Sequence, residues 1–80
     1  MYTDAMARAF RSVDTYAPKG FSLSVIDNEH FITLKASEKD FFSLSDEQKR
    51  SAVEYMVRAK KALEDNGAIV LLVREGGDEL

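Results

Sequence analysis

The chain has no cysteine, one histidine, one proline and only four glycines. Each shortage removes a kind of chemistry. Without cysteine there is no disulfide framework, no thiol nucleophile and no thiolate metal site. One imidazole, His30, cannot supply a histidine pair for zinc or iron. The adjacent glycines Gly76-Gly77 lead into Asp78-Glu79-Leu80 rather than a helix N-terminus. Together with Gly20 and Gly67 they therefore form no dinucleotide or phosphate loop. Serines are plentiful, but none sits in a Gly-x-Ser-x-Gly elbow. Basic residues are outnumbered, eleven Lys plus Arg against fourteen Asp plus Glu, for a net charge of -3. That balance disfavours a grip on phosphate backbones or anionic lipid. The longest apolar run, Ala68 to Val73, is far short of the ~20 residues that span a bilayer, so no membrane crossing is expected. The first residues carry Asp4 and no continuous apolar core, which is not a secretory pattern. The expected location is cytoplasmic.

What is present is ordinary globular material. Eighty residues with 45% hydrophobic and 31% charged content predict a single α+β domain over residues 1–75 and a flexible acidic tail over 76–80. Met6, Phe10, Val13 and Ala17 recur at helical spacing, which predicts an amphipathic helix from Asp4 to Ala17, capped by Thr3 and stopped by Pro18. Alternation then predicts a strand pair turning about Asn28-Glu29. In that register Val25 faces Ile32, Leu23 faces Leu34 and Phe21 faces Ala36, with Ile26 opposite Phe31 on the other side. A four-residue turn over Asp27 to His30 would keep the same pairing.

Residues 37–45 read as a connector with one helical turn begun by Ser37, its Phe41, Phe42 and Leu44 tucked over the end of the core. Ser45 and Gln48 have the spacing of a capping box, and Asp46 and Glu47 suit the positive end of a helix dipole. A long helix follows, with Ala52, Tyr55, Met56, Ala59, Ala62 and Leu63 as its buried stripe. Arg50-Glu54, Glu54-Arg58, Lys60-Glu64 and Lys61-Asp65 are charge pairs outside that stripe. Gly67 ends the helix and Ala68 to Val73 make a third strand.

The order α-β-β-α-β predicts a two-layer sandwich with a three-stranded sheet and helices mainly on one face. A right-handed crossover through the long helix makes the third strand parallel to the second. The split arrangement, strand order 2-1-3, is favoured over 1-2-3. In either order the third strand lies at an edge, yet it is apolar on both sides, with Ala68, Val70 and Leu72 on one and Ile69, Leu71 and Val73 on the other. Exposed edges are normally short or charged, so this one calls for cover. Three solutions are ranked: antiparallel pairing of two third strands in a homodimer, the N-terminal helix laid across the other sheet face, and a different protein docking on the edge or on Ile26 and Phe31.

Chemistry is sparse. Asp27, Glu29 and His30 could bind a cation or share a proton, but the simpler reading is a solvated turn with an Asp27-His30 contact across it. Acid pairs at 46/47 and 64/65 are explained by helix ends. The exposed hairpin face carries one aromatic and one base, Phe31 and Lys35, so direct nucleic-acid binding is not expected. Phe41 and Phe42 read as core first and as partner anchors second.

The sequence therefore leads to a non-catalytic protein-protein interaction module without metal, cofactor or catalytic residues, homodimeric through its third strand. Its interface residues are Ile26, Phe31, Ile69, Leu71 and Val73, with Phe41 and Phe42 as secondary candidates. The alternative is a small acidic viral or mobile-element antagonist of a host nucleic-acid-binding protein or complex. A third reading has Asp27, Glu29 or His30 contributing to a shared active site in a larger assembly.

Overall fold

In the computed structural model, which describes residues 1–75, Thr3 accepts a hydrogen bond from the Met6 amide at 3.1 Å and starts α1, Asp4–Ser12. The helix is shorter than its apolar spacing suggests. At Val13 the amide bonds back to Phe10, and the chain tightens into a 3₁₀ turn over Asp14–Tyr16. Ser, Val, Asp and Thr in succession are weak helix formers, and Pro18 pulls Ala17 into an extended conformation with ψ 126°. Met6, Phe10 and Val13 still reach the core.

The hairpin forms with its expected faces but in a different register. Strand β1, Leu23–Asp27, pairs antiparallel with β2, Ile32–Ser37, so that Leu23 meets Ala36, Val25 meets Leu34 and Asp27 meets Ile32. This is two residues away from the predicted pairing. Asn28-Glu29 offers no glycine for a tight turn, so the loop widens to residues 28–31. The Asn28 amide donates to the Phe31 carbonyl at 3.0 Å, and the Asn28 side chain accepts from the His30 amide at 3.1 Å. A slip of two preserves which side chains face inward. It does separate Ile26 from Phe31: Ile26 now lies across from Thr33, and Phe31 belongs to the loop.

Ser37 caps a short helix α2, Glu38–Phe42. Phe41 turns inward and meets Phe21 edge-on, ring centres 6.1 Å apart. Phe42 does not tuck under as expected; it is 62% exposed. Consecutive helical residues point about 100° apart, so both rings could not share the core. The Ser45–Gln48 capping box forms and launches α3, Asp46–Glu64. Ala52, Tyr55, Ala59 and Leu63 are buried along it, with Met56 and Ala62 partly so. Three of the four charge pairs close, Glu54 choosing Arg58 over Arg50. Gly67 stops the helix at φ +95°, a conformation that costs glycine nothing.

Strand β3, Val70–Glu75, starts later than the apolar run and extends through Arg74 into Glu75. It is parallel to β2, as the crossover predicts. The order is β1-β2-β3, not 2-1-3. Ile32 and Leu34 of β2 are completely buried, and the interior position is what permits that. Helix α3 rests on β3, and α1 rests on α3, which puts the helices in one layer and leaves the other sheet face uncovered by the described residues. The N-terminal helix is therefore not laid across that face, contrary to the second of the three ranked solutions. The result is a small α+β fold with a mixed sheet. The expected acidic tail, 76–80, lies outside the described residues.

Candidate functional site

The parallel ladder fixes which way β3 turns its main chain. Ile32 donates to the Ile69 carbonyl at 2.8 Å, and Ile32 is registered on Val70, Leu34 on Leu72 and Ala36 on Arg74. In a parallel pair, the residues flanking each registered position bond to the neighbouring strand. Ile69, Leu71, Val73 and Glu75 therefore turn their amides and carbonyls toward β2. Val70, Leu72 and Arg74 turn theirs outward to a free edge. Within the described residues no other strand lies beyond it.

Side chains alternate independently of those main-chain groups. Across the uncovered face run two rows, Ile26-Thr33-Leu71 and Ser24-Lys35-Val73. Ile69 and Phe31, the residues just before the paired ones, extend the same side. All five predicted interface residues are thus brought to one sheet face. Ile69 is 65% exposed, Leu71 45% and Val73 37%, while Phe31 is half-buried. Apolar exposure is heaviest on β3; Thr33 and Lys35 of β2 and Ser24 of β1 make the rest of the face polar around an exposed Ile26.

The helix side of β3 is incompletely roofed as well. A groove of about 300 Å³ lies between the strand and the helices, with Ala36 and Leu72 in its floor and Phe41, Phe42 and Met56 in its walls. At its mouth Arg74 Nη1 donates to Glu38 Oε2 at 3.1 Å. Lys49 Nζ stands 5.5 Å from the centre of the Phe42 ring, holding it by cation-π attraction on the α3 flank. Val53 and Val57 are both exposed on α3, to either side of Met56. On the opposite flank Arg58 stacks on Tyr16 at 4.1 Å. The secondary candidates therefore divide: Phe41 is a core ring and Phe42 is a surface ring on the groove.

The turn bearing His30 has a different character. The Asp27 carboxylate accepts from the Tyr2 amide at 3.1 Å and the Met1 ammonium at 3.2 Å, and these two bonds draw its pKa below the ordinary value. It makes no bond to His30. The His30 ring lies 4.0 Å from Glu29, both side chains more than four-fifths exposed. Among the described residues no three acids or imidazoles converge on a point that could hold a metal ion, and no polar or charged side chain is buried. Tyr55 has its phenol pushed up, by burial first and by Asp14 second. Tyr2 is raised by burial, with Arg11 opposing. Both shifts follow from packing in the helix layer. Among the described residues no helix is long and apolar enough to cross a membrane.

No protein-family model, curated protein or solved structure matches the chain. What the surface can do is therefore decided by its geometry and chemistry.

Four surface participants escape a reading of the sequence: Val53, Val57, Met56 and Leu72. The first two carry a signal, since valines four apart on the polar side of an amphipathic helix have no core to serve. Met56 and Leu72 carry none. Their spacing assigns them to the core, and only the incomplete roof over β3 leaves them reachable.

Proposed function

We propose that this chain is a non-catalytic protein-protein interaction module of the cytoplasm, acting as a homodimer joined through β3. The observation that carries the reading is the outer side of β3: three residues whose main-chain groups have no partner among the described residues, flanked on both faces by exposed apolar side chains. An edge of this kind is a template for another strand, and proteins that leave it uncovered blunt it with lysine, proline or a bulge. None of these interrupts 69–73. Pairing with a second copy supplies the missing hydrogen bonds and removes apolar surface from water on both sides of the sheet at once. The net charge of -3 argues against nucleic acid as the occupant.

Sedimentation velocity across low to high micromolar concentration tests it. The expected result is a concentration-dependent dimer abolished by Leu71→Lys. A clean monomer throughout that range would remove the reading.

A further inference from the structure

We infer that the second copy adds to β3 in one register only, with Leu71 opposite its own counterpart on the two-fold axis. The inference rests on the homodimer reading above and specifies its seam. When two antiparallel strands are related by a two-fold axis, the axis is normal to the sheet, so directly opposed residues share a face. Within the apolar part of β3 four registers satisfy this, those centred on Val70, Leu71, Leu72 or Val73. The first runs Val73 and Arg74 past the start of the strand onto Gly67 and Asn66 in the turn after α3 and sets Glu75 against Asp65, which leaves three. All three also join the outward main-chain groups of Val70, Leu72 and Arg74 to their like in the second copy.

Charge separates the three. Centring on Val73 sets Glu75 against Leu71 and Arg74 against Leu72. Centring on Leu72 sets Glu75 against Ile69 and Arg74 against Val70, which is already buried beneath the helices. Each of these opposes Arg74 and Glu75 to apolar side chains of 69–72 that could instead meet apolar partners. Centring on Leu71 pairs Leu71 with Leu71, Ile69 with Val73 and Val70 with Leu72, so that apolar meets apolar along the seam. Arg74 then falls opposite Ala68, on the helix side of the sheet. Turning from Glu38, its partner within one copy, it there faces the carbonyl end of α3 in the second copy, whose Glu64 and Asp65 are themselves paired with Lys60 and Lys61. A helix C-terminus carries partial negative charge, and a guanidinium is favoured beside it. The complementarity is reciprocal, once at each end of the seam.

The same register aligns the two helix layers. Strands are spaced by about 4.8 Å and packed helices by about 8–10 Å, so two α3 helices on one side of a continuous sheet come within reach of each other's side chains. The flanks that meet carry Val53, Met56 and Val57. Each copy thereby closes the open side of the other's groove.

The absence of cysteine makes the test clean. Single variants Leu71→Cys, Leu72→Cys and Val73→Cys, all at half-exposed positions, are oxidised mildly at a concentration where the wild type sediments as a dimer. In the inferred register the two α-carbons at position 71 are about 4.5 Å apart, within disulfide range, whereas a two-residue offset puts them about 8 Å apart and beyond it. The expected outcome is a disulfide-linked dimer of Leu71→Cys forming at least tenfold faster than with either other variant. An equimolar mixture of Ile69→Cys and Val73→Cys chains should favour the mixed dimer over both homodimers. Preferential cross-linking of Leu72→Cys or Val73→Cys overturns the register while leaving the dimer standing. No cross-linking in any variant, with the wild type still dimeric, overturns β3 as the seam, and a monomeric wild type removes the parent reading.

Discussion

The Ile32 amide and the Ile69 carbonyl meet at 2.8 Å, and this one bond decides the character of the molecule's surface. It makes β2 the interior strand and turns Val70, Leu72 and Arg74 outward along an edge with no neighbour among the described residues. Leu71 and Val73 then stand on the uncovered face beside that edge. Replacing either with lysine puts a charge into the proposed seam twice, once from each copy. Losing the burial of two such side chains forgoes about 3 kcal/mol or more, which corresponds to at least a hundredfold weaker association. Leu71→Lys and Val73→Lys should therefore sediment as folded monomers, with circular dichroism and thermal midpoint close to those of a dissociated wild type. A lysine variant that remains dimeric would place the seam elsewhere.

The α3 flank gives an independent measurement. Val53 and Val57 touch no core of their own, so Val53→Asp should leave the monomer's stability within about 0.5 kcal/mol of wild type. If the two helix layers meet, the same substitution weakens dimerisation at least tenfold, since it opposes two carboxylates across the axis. Equilibrium sedimentation of the variant against wild type reads this directly. Unchanged dimer affinity would show that the sheets join without the helices touching.

Core and seam should separate cleanly in denaturant. Leu34 and Leu63 are fully buried on opposite layers, and truncating either to alanine removes packing that the surroundings only partly recover, at a cost of about 2–5 kcal/mol. Leu72→Ala, at a residue more than one-third exposed, should cost the monomer about 1 kcal/mol or less while weakening association. Urea unfolding at nanomolar concentration, where association contributes little, distinguishes these two kinds of leucine.

Much of this arrangement is written locally in the chain. Thr3, Ser45 with Gln48, and Gly67 each specify a helix end through their own hydrogen bonds or dihedral angle, and each acts where the sequence puts it. Inward and outward faces of β1 and β2 follow from alternation. What the chain does not write locally is pairing over distance. Leu23 against Leu34 and Leu23 against Ala36 bury the same faces, so the pattern cannot choose between them; the width of the loop chooses, through the Asn28 side chain. Strand order is similarly silent, because β1 and β2 carry the same alternation and only β3's placement shows which of them is interior. Phe41 and Phe42 are adjacent and alike, and the orientation of a single helical turn separates the buried ring from the exposed one. Apolarity alone marks the five proposed interface residues in the sequence; that Ile26, Leu71 and Val73 share one face follows from the register.

Gly67 isolates a backbone effect. Its φ is +95°, and a β-carbon added there would meet nothing within 4 Å, so alanine brings conformational strain without a clash. The left-handed region costs a residue with a β-carbon about 1–2 kcal/mol. Gly67→Ala should lower unfolding free energy by about that amount, and Gly67→Asn by less, because asparagine tolerates the conformation better. Equal loss in the two variants would point to a contact rather than the dihedral angle.

Asp27 should make stability pH-dependent at the acid end. Its pKa is lowered from the ordinary carboxylate range, first by the hydrogen bond from the Tyr2 amide and then by the Met1 ammonium. A carboxylate held ionised by the fold binds its proton less readily when folded than when unfolded. Its contribution is therefore complete above the unfolded pKa and is lost as pH falls through the lower folded value. Asp27→Asn retains an acceptor for the Tyr2 amide but no charge. In urea unfolding from about pH 6 down to about pH 2, wild type should exceed the variant by a constant margin at the upper end. That margin should shrink below about pH 4, because protonation then makes the two side chains alike. A margin that persists unchanged to the lowest pH would mean that the bond from Tyr2 stabilises through its geometry alone, with no share from the charge.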